Sequence, residues 1–310
     1  MKKPSIEIER SLISPPGDTI QEHLEFIGMT QAELADRMGR PKEKINDIIK
    51  GREPISMMTA HQLENVLGIP ASFWINREKT YRLALYEIEV KESLERQTAW
   101  VYQFPINNMK RLGWLDDTKE IHHLVESLLK FFGIASSKEW NQIYRDIEIN
   151  ATSNQSLAYC SNPFAISAWL RKGELQCLEL ELTEFDKTKF KEKIEDIKVK
   201  ASRSRTLSFQ KLQKICAECG VALVQTPVLA KAPIRAAARW FHKRPIIQLS
   251  TKFKSNDEFW LTFFHEVAHV LLHGKKEIFL EEVQGLSVNE VKESEANLYA
   301  HKSLSSRQKN

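Results

Sequence analysis

Apolar residues recur every three to four positions along most of this chain and alternate in only a few short places, so helices dominate. In "TQAELADRMG", Thr30 and Glu33 form a capping box, Leu34, Ala35 and Met38 make one apolar face, and Gly39 is the stop. Pro41 suits the first position of the next helix, "PKEKINDIIK", where Ile45, Ile48 and Ile49 point inward and Gly51 ends the run. Residues 18–75 read in this way as five short helices. Two of them are joined by a short turn containing Gly, which is the helix-turn-helix pattern.

The helical pattern continues through 78–104 with mixed charge, and again in "EIHHLVESLLKFFG", which ends at Gly133. Residues 150–156, "NATSNQS", make a polar boundary. Beyond it comes a helix from Leu157, a charged stretch and a helix over 207–218. Three β-like pieces follow at 221–226, 235–241 and 245–250, and the last two flank "HKR" as a hairpin would. The apolar helix "FFHEVAHVLLH" comes next. The expected fold is mainly α with an α+β C-terminal part. It has a helix-turn-helix domain at 15–76, a helical connector at 77–150 and a domain with a small sheet at 151–310.

Composition changes this picture little. Of 310 residues, 42% are hydrophobic and 28% charged, which suits globular domains rather than a disordered chain. No run of about 18 apolar residues exists, and the start, "MKKPSIEIER", lacks the apolar segment of a secretion signal. A cytoplasmic protein with reduced cysteines is expected. Cys216 and Cys219 form a lone CxxC, which cannot complete a four-ligand zinc site and reads as small thiols at a helix end.

Charge becomes informative locally. A net of +4 permits nucleic acid without arguing for it, but five Lys/Arg and two acids fall between Arg40 and Arg52. A recognition helix uses its first turns for base edges and its flanking basic residues for phosphates. The candidate DNA contacts are Gln31, Arg40, Lys42, Glu43, Lys44, Asn46 and Lys50.

The histidines carry the second chemistry. On a helix, His265 and His269 are one turn apart and offset by about 40°, so both can reach one ion. Glu266 is rotated about 100° from His265, beside the open coordination position rather than on the metal. This is the H-E-x-x-H arrangement, with two zinc ligands and a carboxylate placed to take a proton from the attacking water. Chance would give about 0.03 such matches at this composition, so His and Glu content alone does not explain it. A third protein ligand must come from elsewhere in the chain.

Two resemblances extend these readings. Residues 15–75, with "PPGD", "TQAELA", "INDIIKG" and "LGIPASFW", resemble the XRE-type domain of HigA-like antitoxins. The resemblance implies a homodimer on a double-stranded DNA operator and permits a cognate toxin as partner. Arg40-Pro41 replaces the usual aliphatic-Ser start of the recognition helix, so that serine's phosphate contact is not carried over. Residues 155–300, with "HEVAHVLLH" and "ESEANLYA", resemble the ImmA/IrrE zinc metallopeptidases. Those are intracellular endopeptidases with a thermolysin-like helix pair, and several cleave a DNA-binding repressor. The resemblance implies Zn2+ on His265, His269 and Glu293, with Glu295 as the alternative third ligand. It makes Glu266 the catalytic base and Asn297 the residue that orients a ligand histidine. His273 is the family's extra histidine, structural or facing substrate. Two functions stay open: a zinc endopeptidase tethered to an operator-binding domain, acting on a repressor, an antitoxin-like partner or itself; or a HigA-like repressor or antitoxin whose zincin-like domain senses or docks.

Overall fold

The computed structural model describes residues 6–152, 162–203, 207–273, 279–281 and 290–305. The chain divides into two compact units, 1–96 and 97–310. The stretch read as a connector is thus shared between them, with 77–96 in the first and 97–150 in the second.

The first unit holds α1 (Ile6–Ser11), α2 (Pro16–Ile27), α3 (Gln31–Met38), α4 (Lys42–Ile49), α5 (Met57–Leu67) and α6 (Ala71–Arg96). The helices α2 to α6 are the five expected from the sequence, except that the last runs to Arg96 rather than stopping near 75. Their apolar faces meet in one core of Ile20, Leu24, Leu34, Met38, Ile45, Ile48, Leu63 and Trp74. Approach is closest at Gly17, where a Cβ would stand 1.8 Å from the Ile49 carbonyl oxygen. The capping box forms: Thr30 Oγ1 accepts from Glu33 N at 3.2 Å, and Glu33 accepts from Thr30 N at 2.8 Å. Gly39 follows in the left-handed region at φ 65°. Pro41 corrects one expectation. Its φ of −60° and ψ of 144° make it the N-cap, and Lys42 is the first helical residue. A proline has no side-chain acceptor to offer there, so its carbonyl does the capping, accepting from Lys44 N at 3.0 Å and Ile45 N at 3.3 Å.

The second unit opens with α7 (Thr98–Val101), α8 (Ile106–Arg111), α9 (Ile121–Phe132) and α10 (Ser137–Thr152). Trp100, Phe104, Phe132, Trp140 and Phe164 interlock here, with Trp140 stacked on Phe164 at 4.3 Å. The polar boundary at 150–156 lies outside the described residues beyond Thr152. So does the start of the helix expected from Leu157. Its described part is α11 (Pro163–Leu178), capped by Asn162, whose Oδ1 accepts from Phe164 N at 2.8 Å. The charged stretch is α12 (Lys187–Arg203), and α13 (Phe209–Ala217) follows.

The three β-like pieces become β1 (Ala222–Thr226), β2 (Ala236–Phe241) and β3 (Arg244–Ser250), and β2 and β3 pair as the expected hairpin. Then come α14 (Asn256–Leu272), the short strand β4 (Phe279–Glu281) and α15 (Glu290–Ser305). The sheet order is β1-β3-β2-β4, with β1 parallel to β3 and the other pairs antiparallel. Side chains alternate across it. On one face Leu223, Ala236, Ala238, Ile247 and Leu249 join Phe263, Phe264 and Val267 of α14 in the main core. On the other, Ala222, Val224 and Ile246 meet Cys177 of α11.

That second face also buries a polar network. Arg239 donates to Glu174 at 2.5 Å, and Gln248 Nε2 donates to Trp169 O at 2.7 Å and to Thr226 Oγ1 at 2.9 Å. Gly173 makes room for this network, since a Cβ would lie 2.1 Å from Gln248 Oε1. Among the described residues no helix is long and apolar enough to cross a membrane.

Candidate metal centre and candidate DNA-binding helix

The candidate metal centre rests on α14, a helix buried on nearly every side. Ser255 caps it by accepting from Glu258 N at 3.1 Å, and Glu258 also pairs with Arg235 at 3.2 Å. Trp260, Phe263, Phe264, Val267, Val270 and Leu271 fix its rotation against the sheet. That rotation puts His265 and His269 on the side that faces α15. Their Nε2 atoms lie 2.9 Å apart. From α15, Glu293 reaches both, at 3.2 Å from His265 Nε2 and 3.4 Å from His269 Nε2.

The outer nitrogens are held as well. His265 Nδ1 is 3.0 Å from Asn297 Oδ1, and His269 Nδ1 is 2.9 Å from His273 Nδ1. Glu295 lies elsewhere, at 3.2 Å from His273 Nε2. Glu266 is fully buried beside the pair. The structure thus brings together His265, His269 and Glu293, sets Asn297 and His273 behind the histidines, and leaves Glu295 off the trio.

This donor set suits a cation. His265 Nδ1 donates to the Asn297 amide oxygen, which leaves its Nε2 as a bare acceptor. That acceptor, His269 Nε2 and a carboxylate converge within 4.8 Å, and a positive ion satisfies all three together. Burial, with His265, His273 and Lys292 nearby, pushes the His269 pKa down to about 2, so the ring stays neutral as a ligand must. The sequence did not single out Phe279, whose ring stacks on His269 at 3.9 Å. It sits in a three-residue strand, too short for any alternation to show.

The CxxC thiols do not contribute here. Cys216 and Cys219 are both buried, and burial raises both pKa values, which leaves them protonated.

In the first unit, α4 turns Lys42, Glu43 and Lys44 outward and leaves Asn46 half-buried, and Lys50, its C-cap, is exposed as well. Several candidates already have partners. Lys44 pairs with Glu53 at 2.7 Å, and that carboxylate raises the Lys44 pKa. Arg40 Nε donates to Gln62 at 2.7 Å, and Gln31 donates to Gln21 at 2.8 Å.

The fold and these two surfaces define a class: a helix-turn-helix unit followed by an α+β unit with a His-His-Glu donor set. Residues 27–74 match the family model described as helix-turn-helix, and residues 216–304 match the IrrE N-terminal-like domain of the M78 peptidases. An uncharacterized HTH-type transcriptional regulator of Methanothermobacter thermautotrophicus is 41% identical over 49 residues, covering 16% of this chain and 71% of that protein. Two solved structures align at a TM-score of 0.26, each over 27% of this chain and 94% of its own. One is an addiction module antidote protein of a HigA family from Coxiella burnetii, 24% identical, and the other is the Pseudomonas aeruginosa antitoxin HigA with the higBA promoter, 26% identical. The chain belongs to the helix-turn-helix transcriptional regulators, of XRE type, and carries an IrrE-like domain behind its DNA-binding unit.

Proposed function

We propose that this protein is an operator-binding regulator whose IrrE-like domain is a zinc-dependent endopeptidase. Its substrate is a repressor, an antitoxin-like partner or its own chain. The observation that carries this reading is the convergence of His265, His269 and Glu293 with Glu266 buried alongside. Zinc, when bound by that trio, supplies Lewis acidity toward a peptide carbonyl and makes water acidic enough to attack near neutral pH. The protein's own residues do the rest. Asn297 and His273 hold the two imidazoles in orientation, and Glu266 accepts the proton of the attacking water and passes it to the leaving amine. Operator contact runs through the outward face of α4, with Lys42 and Lys50 on phosphates and Asn46 toward a base edge. A homodimer would present two such helices to a palindrome.

One observation favours a second reading. The carboxylate oxygens of Glu266 are buried, and a base that water does not reach cannot deprotonate it. Under that reading the protein is a HigA-like antitoxin or repressor whose domain binds zinc as a sensor or docking module. Glu266→Gln separates the two, because it keeps shape and removes the base. In a peptidase it should retain zinc and duplex binding while cleavage falls at least ~10²-fold. Unchanged regulation of a reporter gene by this variant would sink the endopeptidase reading.

A further inference from the structure

The metal reading proposed above assigns the inner nitrogens of the two histidines and leaves open what sets the outer ones. For His265 the answer is an amide oxygen. For His269 it is another imidazole, which can either donate or accept, so its direction must be fixed by something further out.

The His273 side chain is 3% exposed, and it bridges His269 and Glu295 through its two nitrogens. Glu295 is 56% exposed, and an ionised carboxylate only accepts. The hydrogen of the 3.2 Å contact therefore sits on His273 Nε2. In its neutral form His273 has one N–H, and its Nδ1 is then a bare acceptor. The hydrogen between the two Nδ1 atoms must come from His269, which leaves His269 Nε2 bare. That is the atom aimed at His265 and Glu293. Run the other way, the chain would put a hydrogen on His269 Nε2 and spoil the ligand.

We propose that Glu295 and His273 are positioning residues. They form a Glu295–His273–His269 chain that fixes the tautomer of His269, so its Nε2 lone pair stands ready for the metal. This inference rests on the metal reading, and it gives Glu295 a role one residue removed from ligation.

Two measurements on the full-length chain test it. Long-range proton–nitrogen spectra of the zinc-free protein should show His269 protonated at Nδ1 and bare at Nε2. Finding the hydrogen on His269 Nε2, or two hydrogens on His273, would overturn the chain whether or not zinc binds. Zinc affinity, read by competition with a chromophoric chelator, supplies the second arm. His273→Leu should weaken binding about 10- to 100-fold. His273→Asn should recover most of that loss, since its Oδ1 takes the place of Nδ1 and can only accept. Glu295→Ala should weaken zinc in the native background and cost nothing further in His273→Asn. A Glu295→Ala loss that persists in His273→Asn would mean that Glu295 touches the metal, and the chain would be wrong. If the native protein takes up no zinc, the metal reading fails, and the spectra still judge the chain by itself.

Discussion

His269 shows how one buried side chain ties stability to pH. Its folded pKa, about 2, lies below the ordinary 6.5. Below pH 6.5 the unfolded chain takes up a proton there that the folded chain refuses, so stability must fall as pH drops from 6.5 toward 2. In chelator-treated protein the urea midpoint should decline over that window, and His269→Gln should flatten the decline. The donor trio makes a second prediction at this scale. Glu293→Gln should lose zinc in metal analysis, and Asn297→Ala should weaken it about 10- to 100-fold, with Asn297→Asp recovering the affinity. Most of this was legible in the sequence, because i, i+4 spacing on an apolar helix fixes where two imidazoles point. Spacing alone did not choose between Glu293 and Glu295, and only the resemblance favoured Glu293. Both lie on one helix, and only the packing of α15 on α14 decides which faces the histidines.

At the scale of elements, α4 is a charged surface partly spent on the protein itself. Lys44 meets Glu53, and Arg52 meets Asp47 at 2.6 Å. Exposed pairs of this kind are weak, but a phosphate must still compete with the carboxylate. On a random-sequence duplex, Lys42→Ala should lower the salt slope by roughly one. Lys44→Ala should lower it by less, and Glu53→Gln should tighten binding. Fluorescence anisotropy across a salt series reads all three, and equal slopes for the two lysine variants would contradict the competition. Packing sets another limit. Gly17→Ala forces a Cβ into the Ile49 carbonyl, and overpacking against backbone should cost more than about 3 kcal/mol in chemical unfolding of the first unit. The helix boundaries here were readable because Thr30, Gly39 and Gly51 act locally. Pro41 was misplaced by one residue, since proline is compatible with both the cap and the first turn. Residues 78–96 read as helical too, but not as a continuation of the helix ending near 75, because their mixed charges carry little amphipathic signal. Nothing in the sequence announced Gly173 and Gln248 as neighbours, for that contact depends on how α11 lies across the sheet.

At the scale of the whole molecule, each unit has its own core, and the three candidate metal donors lie in the second. Zinc binding should therefore raise the unfolding free energy of residues 97–310 by about 4 kcal/mol at a free concentration a thousandfold above Kd. Calorimetry with and without a chelator checks this, and an unmoved second-unit transition would count against the site. The order of the parts along the chain has a consequence in time. The DNA-binding unit is complete at Arg96, whereas the third donor, Glu293, comes roughly 200 residues later. At ordinary rates of synthesis that gap lasts roughly 10–40 s. During it each growing chain carries a finished helix-turn-helix unit while the last of its candidate metal donors has yet to be made. A polysome would thus be a transient source of helix-turn-helix heads made ahead of the proposed zinc site.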